Sequence, residues 1–185
     1  MRSTLVALFL GMTLVPAAAQ QHPAERPAAR PTAHPGSPTR PGPKSIGVFE
    51  DWTAATNTEA SQTVCYAFTR AQSSTPTMSG RGQVVLTVTD RSGGRDAVAI
   101  SAGFAYAATA AVAVAIEQTT MEFYTAQRSA FARDGHAAVV AFEKGSKVVA
   151  RSPAPKGSVT DVFSLRGFSA AYAAMNKACP PKSPP

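Results

Sequence analysis

Two cysteines, one of three histidines and a handful of acids carry what chemistry this chain can offer, His22 and His34 reading as solvated side chains of a proline-rich segment. Cys65 lies in QTVCYAF, and Cys179 closes SLRGFSAAYAAMNKACP 114 residues later. A redox pair would call for C-x-x-C, which is absent, and zinc would need two further ligands where the stretch from Ser45 to Pro180 has one histidine, His136. A serine hydrolase needs a serine, a base and an orienting carboxylate. Ser164 follows Asp161 by three residues, but no G-x-S-x-G surrounds it, and strand residues three apart face opposite sides. Glu50 and Asp51 are adjacent acids. On a strand they too point apart, which argues against these two as a sugar-cleaving pair at 5 to 9.5 Å, while a pair formed in space among the domain's ten acids stays open. His136 falls in the first turn of a predicted helix and reads as a surface residue. Gly93-Gly94 in DRSGGRD is followed by no helix, so it reads as a hairpin turn supplying positive φ angles and not as a phosphate cradle. No metal or nucleotide motif is present, and no cofactor is expected.

The elements that must position these residues repeat mostly with period two. QVVLTVTD puts Val84, Leu86 and Val88 on one face; DAVAIS adds Val98 and Ile100; AAVAVAI adds Val112, Val114 and Ile116. IGVFEDW, TVCYAFTR, MEFYTA, SKVVAR and VTDVFSL are further strand candidates. Two segments break the period. DGHAAVVAFEKG predicts a short helix capped by Asp134 and stopped at Gly145. GFSAAYAAMNKAC places Phe168, Tyr172, Met175 and Cys179 on one helical face, with Gly167 permitting the strand-to-helix corner. The expected fold is mainly β: an antiparallel β-sandwich or partly open barrel with one or two short helices, the last at the C-terminus. Within it Trp52, the sole tryptophan, reads as a core anchor with its N–H paired, a binding platform being the alternative. Asp51 and Asp161 read as braces of turns through backbone N–H groups.

The ends of the chain indicate where it goes. Residues 1–19, MRSTLVALFLGMTLVPAAA, have an early arginine, an apolar run from Leu5 to Val15 and a small-residue cleavage pattern, as an export signal does. The run is too short to span a bilayer, and no later stretch is long and apolar enough. Residues 20–44 hold seven of the 15 prolines among Ala, Arg and Thr, which predicts a disordered linker; 181–185 predicts a similar tail. That leaves residues 45–180 as one domain. Of the formal net charge of +7, the domain keeps +2, from twelve basic and ten acidic residues without a basic-aromatic run. Nucleic acid is therefore not an expected partner, while the basic linker suits weak contact with anionic envelope components.

GVFEDW, VCYAFTR, VVLTVTDR followed by ISAGFAY, FEKGSKVV and TDVFSLRGFSAAYAAMNKAC, in that order, resemble the invasion-associated locus B family of bacterial envelope proteins. The resemblance runs from about Ile46 to Cys179. Its most specific parts are Asp51-Trp52, Cys65-Tyr66 and the closing pattern that includes Asp161, Ser164, Leu165, Gly167 and Phe168. It implies an exported, mainly β protein of the periplasm or outer membrane, with envelope or host protein surfaces as partners and no assigned reaction. Export, the even cysteine count and the placement of the two residues at the domain's ends together predict a Cys65–Cys179 disulfide staple. Two function classes follow: a non-enzymatic domain that acts by contacting macromolecules, or a periplasmic small-ligand module or weakly marked hydrolase.

Because residues 20 to about 44 offer no core side chains, their removal should leave the melting temperature of the purified chain nearly unchanged. A shift above about 5 °C would mean that they pack on the domain.

Overall fold

The computed structural model describes residues 42–181. The expected export signal, nearly all of the linker and the tail from residue 182 lie outside the described residues. Eleven strands and two helices follow in order: β1 (Lys44–Phe49), β2 (Trp52–Glu59), β3 (Gln62–Arg70), β4 (Ser73–Thr75), β5 (Val85–Arg91), β6 (Gly94–Ser101), β7 (Ala111–Ile116), β8 (Thr119–Ala126), β9 (Ser129–Ala132), α1 (Gly135–Lys144), β10 (Lys147–Ala154), β11 (Gly157–Ser164) and α2 (Phe168–Ala178). The strands form one sheet in the order β1-β2-β3-β5-β6-β9-β8-β7-β10-β11-β4. Every pairing is antiparallel, and the sheet is not closed into a barrel.

The alternation in the sequence decides which face is inside. Leu86 and Val88, Val98 and Ile100, and Val112, Val114 and Ile116 are all buried, and they pack with Phe142 of α1 and Phe168 and Met175 of α2 in one core. Each contributes roughly 1.5–3 kcal/mol by leaving water. Asp134 caps α1 as its position predicts, its carboxylate accepting the Ala137 N–H at 2.9 Å. Gly145 ends the helix as predicted, and a Cβ there would stand 2.6 Å from Ile116, so the close approach favours glycine.

Three details depart from the sequence reading. IGVFEDW is not one strand: β1 ends at Phe49, Glu50 takes a left-handed φ of 50°, and Trp52 begins β2. Glu50 and Asp51 are thus hairpin-turn residues, so strand alternation does not govern where they point. TAATNTE, SST and SAFA have too few large β-formers to announce strands, yet they form β2 beyond Trp52, β4 and β9. In the β5–β6 hairpin, neither Gly93 nor Gly94 has positive φ. The left-handed residue is Asp96 (φ 56°), within a bulge where the register shifts between Thr89 and Arg91.

Asp161 does not brace a turn. It is wholly buried on β11, and both its oxygens accept from the Arg81 guanidinium at 2.7 Å, with Ser74 Oγ donating at 2.6 Å. Arg81 Nε donates to the Ala102 carbonyl at 2.7 Å, and its guanidinium lies 5.1 Å from the Phe104 ring centre. This bidentate pair fastens two loops to the sheet where hydrophobic packing is thin. Arg81→Met should cost about 3–5 kcal/mol in urea unfolding by leaving a buried charge, and Arg81→Met with Asp161→Leu should recover most of it. A loss under about 1 kcal/mol in the single variant would contradict this role.

Candidate functional site

The residues carrying the family resemblance assemble mainly at one junction. The Trp52 indole N–H donates to the Ser164 carbonyl at 2.9 Å, and its ring meets Phe168 edge-on at 4.8 Å. Leu165 N–H donates to the Ser146 carbonyl at 2.9 Å. Ser164 is buried, and its hydroxyl accepts the Arg166 N–H at 3.1 Å. Gly167 has φ +83°, and a Cβ there would stand 2.0 Å from the Phe49 carbonyl oxygen. No side chain fits that gap, so the corner into α2 seats directly on the β1–β2 hairpin. Asp51 is exposed and meets the corner through its backbone, its N–H 3.4 Å from the Arg166 carbonyl. Its carbonyl accepts from Thr69 at 2.7 Å. Ser164 and Asp161 are not brought together by any hydrogen bond; each is committed elsewhere. Tyr66 is half-buried on the sheet's other face, 6.0 Å from Phe68 between ring centres. Burial, with Glu59 nearby, raises its pKa.

A second assembly, unread in the sequence, surrounds the disulfide. Cys65 on β3 is bonded to Cys179 at the end of α2, with Cα atoms 6.1 Å apart. Beside it the β5–β6 bulge turns two acids inward. Asp90 is 1% exposed; one oxygen accepts the Asp96 N–H at 2.8 Å, and the other lies 2.5 Å from Arg95 without an aligned hydrogen bond. Arg95 also donates to the Cys179 carbonyl at 2.9 Å and to Asn176 Oδ1. Asp96 accepts from Tyr172 Oη at 2.5 Å and contacts His136 Nδ1 at 2.9 Å. One carboxylate thus ties both helices to β6. Burial foremost, then the bond to Asp96, pushes the Tyr172 pKa up to about 12, so it stays a donor.

His136 is therefore paired, although its side chain is 76% exposed. The contact holds one ring nitrogen against the Asp96 carboxylate. Among the described residues no nucleophilic hydroxyl or thiol hydrogen-bonds to His136, and no group of three or more His, Cys, Asp or Glu could hold a metal ion. The neighbouring acids Asp90 and Asp96 are a carboxylate pair that spacing alone could not reveal. Protein partners occupy three of their four oxygens, the exception being one oxygen of Asp90. A cleft of about 410 Å³ opens here, lined by Thr63, Asp90, Arg91, Arg95, Cys179 and Pro180 among others.

Comparison with known proteins bears on both assemblies. The family described as "Invasion associated locus B (IalB) protein" matches residues 52–176, a span that includes the Trp52 junction and both acids of the bulge. The crystal structure of invasion associated protein B from Bartonella henselae superposes with a TM-score of 0.50, covering 72% of this chain and 95% of that one at 13% identity, a likeness of fold. No curated protein matches.

Burial is the main cause raising the Asp90 pKa above its ordinary 3.8, against lowering by the Asp96 N–H and Arg95. The folded state then binds the Asp90 proton more tightly than the unfolded one, so its contribution to stability falls as pH rises from about 3.8 through the raised value. Urea midpoints measured across that window should decline less steeply in Asp90→Asn than in the wild type; equal slopes would contradict the shift.

Proposed function

The chain belongs to the invasion associated locus B family, and from that footing we propose that it is an exported envelope protein acting in the periplasm or at the outer membrane through contacts with other macromolecules, host-cell surfaces among them. It does so without catalysis. The observation that carries this reading is the commitment of the reactive side chains to structure. Asp161 is spent on Arg81 and Ser74, Asp96 on Tyr172 and His136, and Ser164 on the corner before α2. The family is not a known enzyme family. Export is supported by the leading residues 1–19, by the Cys65–Cys179 disulfide, which persists in oxidising compartments, and by the envelope family resemblance. Among the described residues no helix is long and apolar enough to cross a membrane.

A second reading, a small-ligand module, rests on the cleft beside the disulfide, where one Asp90 oxygen has no aligned donor. That cleft is open and its arginines are already engaged, Arg91 with Glu59 and Arg95 with Asp90. The first reading fits better.

Crosslinking of living cells followed by purification of the chain should recover envelope or host proteins bound to it. His136→Ala should complement a deletion strain fully, and its stability should change by no more than about 1 kcal/mol, since an exposed pair contributes little. Turnover of a glycan, peptide or ester by the purified protein, lost on changing His136 or Asp96, would overturn the reading.

A further inference from the structure

Cys65 has a buried acid for a neighbour. In the antiparallel pairing of β3 with β5 it stands directly opposite Asp90. Residues so paired point to one face with Cβ atoms about 4.5–5.5 Å apart. Both side chains are buried there. On its other flank Cys65 faces Thr56 of β2, whose hydroxyl does not titrate. One Asp90 oxygen accepts the Asp96 N–H; the other has no hydrogen-bond partner among the described residues, only the close ion contact with Arg95.

The two sulfurs differ in their surroundings. Cys65 is wholly buried in the main core with Trp52, Ala67 and Val88. Cys179 is half-buried, follows the last residue of α2 and lines the 410 Å³ cleft, a volume in the range of small-molecule sites. A reagent entering the cleft meets Cys179 first, and breaking the disulfide there leaves the electron pair on Cys65. A thiolate in apolar surroundings is costly, so Cys65 alone is a poor leaving group.

We propose that the cleft is a port for thiol–disulfide exchange at Cys179 with a small external thiol, and that Asp90 is the proton donor to Cys65. The external thiolate attacks the Cys179 sulfur, forming a new S–S bond as the Cys65–Cys179 bond breaks. The electron pair of the broken bond goes to the Cys65 sulfur, which takes the proton of neutral Asp90. The products are a mixed disulfide on Cys179, a Cys65 thiol and an ionised Asp90 held by Arg95 and the Asp96 N–H. In the reverse direction Asp90 accepts the Cys65 proton as the staple closes. Burial favours the neutral form that this step uses, with the Asp96 charge adding to it and Arg95 and the Asp96 N–H opposing it. The other charged or titratable groups around the bulge are Arg91 of β5 with Glu59 of β2, Tyr172 and Lys177 of α2 and His136 of α1. The chain is the substrate of this exchange, a modification site that is independent of the contact reading.

Treating the folded wild-type protein with reduced glutathione, quenching by alkylation and mapping by mass spectrometry tests this. Glutathione should appear on Cys179 and the alkyl group on Cys65, at a rate that low urea leaves unchanged. Between the Asp90 pKa and that of the thiol, thiolate rises with pH as neutral Asp90 falls, so the observed rate should be nearly flat. In Asp90→Asn the rate should climb about tenfold per pH unit over that window, as thiolate alone dictates. Glutathione on Cys65, a rate that follows global unfolding in urea, or a wild-type rate that climbs like the variant's would overturn the proposal. The adduct position and the urea dependence are read on the wild type, so they decide even where Asp90→Asn does not fold. None of these results alters the outcome of the crosslinking experiment.

Discussion

Trp52 cannot be buried at the start of β2 unless α2 is already beside it. Its N–H has its acceptor on Ser164 and its ring has its main aromatic neighbour in Phe168, 112 and 116 residues further on. The Phe49 carbonyl, one turn earlier, leaves space at Gly167 for nothing but hydrogen. The first hairpin and the last helix are consequently a single unit, although nearly the whole domain separates them in sequence. The disulfide from Cys65 to Cys179 holds the far end of the same helix. Ordering such distant partners costs loop-closure entropy before any contact compensates it, and the covalent link removes much of that cost from the unfolded chain. The remaining strands fill the space between two ends that are fixed to each other.

That arrangement explains where the charges went. Among the described residues an open sheet with two short helices leaves places that apolar side chains do not cover, and two buried acid clusters occupy them. Asp161 with Arg81 fastens loops at one site, and Asp90, Arg95 and Asp96 fasten α1 and α2 at another. Groups that could have formed a reaction centre act as fasteners, and each is satisfied by protein partners apart from one Asp90 oxygen.

Much of the fold was legible because its signals are local. Alternation in QVVLTVTD and AAVAVAI, the Asp134 cap, and the four-three-four spacing from Phe168 to Cys179 each depend on neighbours within a few residues. The cysteine pairing was legible too, since only two exist. Strand order was not: nothing in SAFA says that β9 lies between β6 and β8. The roles of Asp161 and Asp96 escaped for the same reason. Their partners Arg81 and Tyr172 are 80 and 76 residues away, and an isolated Asp looks alike whether it braces a turn or pairs in the core. The β5–β6 turn was placed correctly but explained by the wrong residue, because a bulge at Asp96 supplies the left-handed geometry that two glycines had suggested.

The dependence of the domain on the tie between its ends can be measured directly. Urea unfolding of the wild type should be compared with a Cys65→Ser/Cys179→Ser variant, both in the absence of reductant. With a loop of 114 residues, the account predicts a loss of about 4–5 kcal/mol, comparable to the whole stability of a marginal domain. An unchanged midpoint, or two free thiols titrated in the wild-type protein, would contradict it.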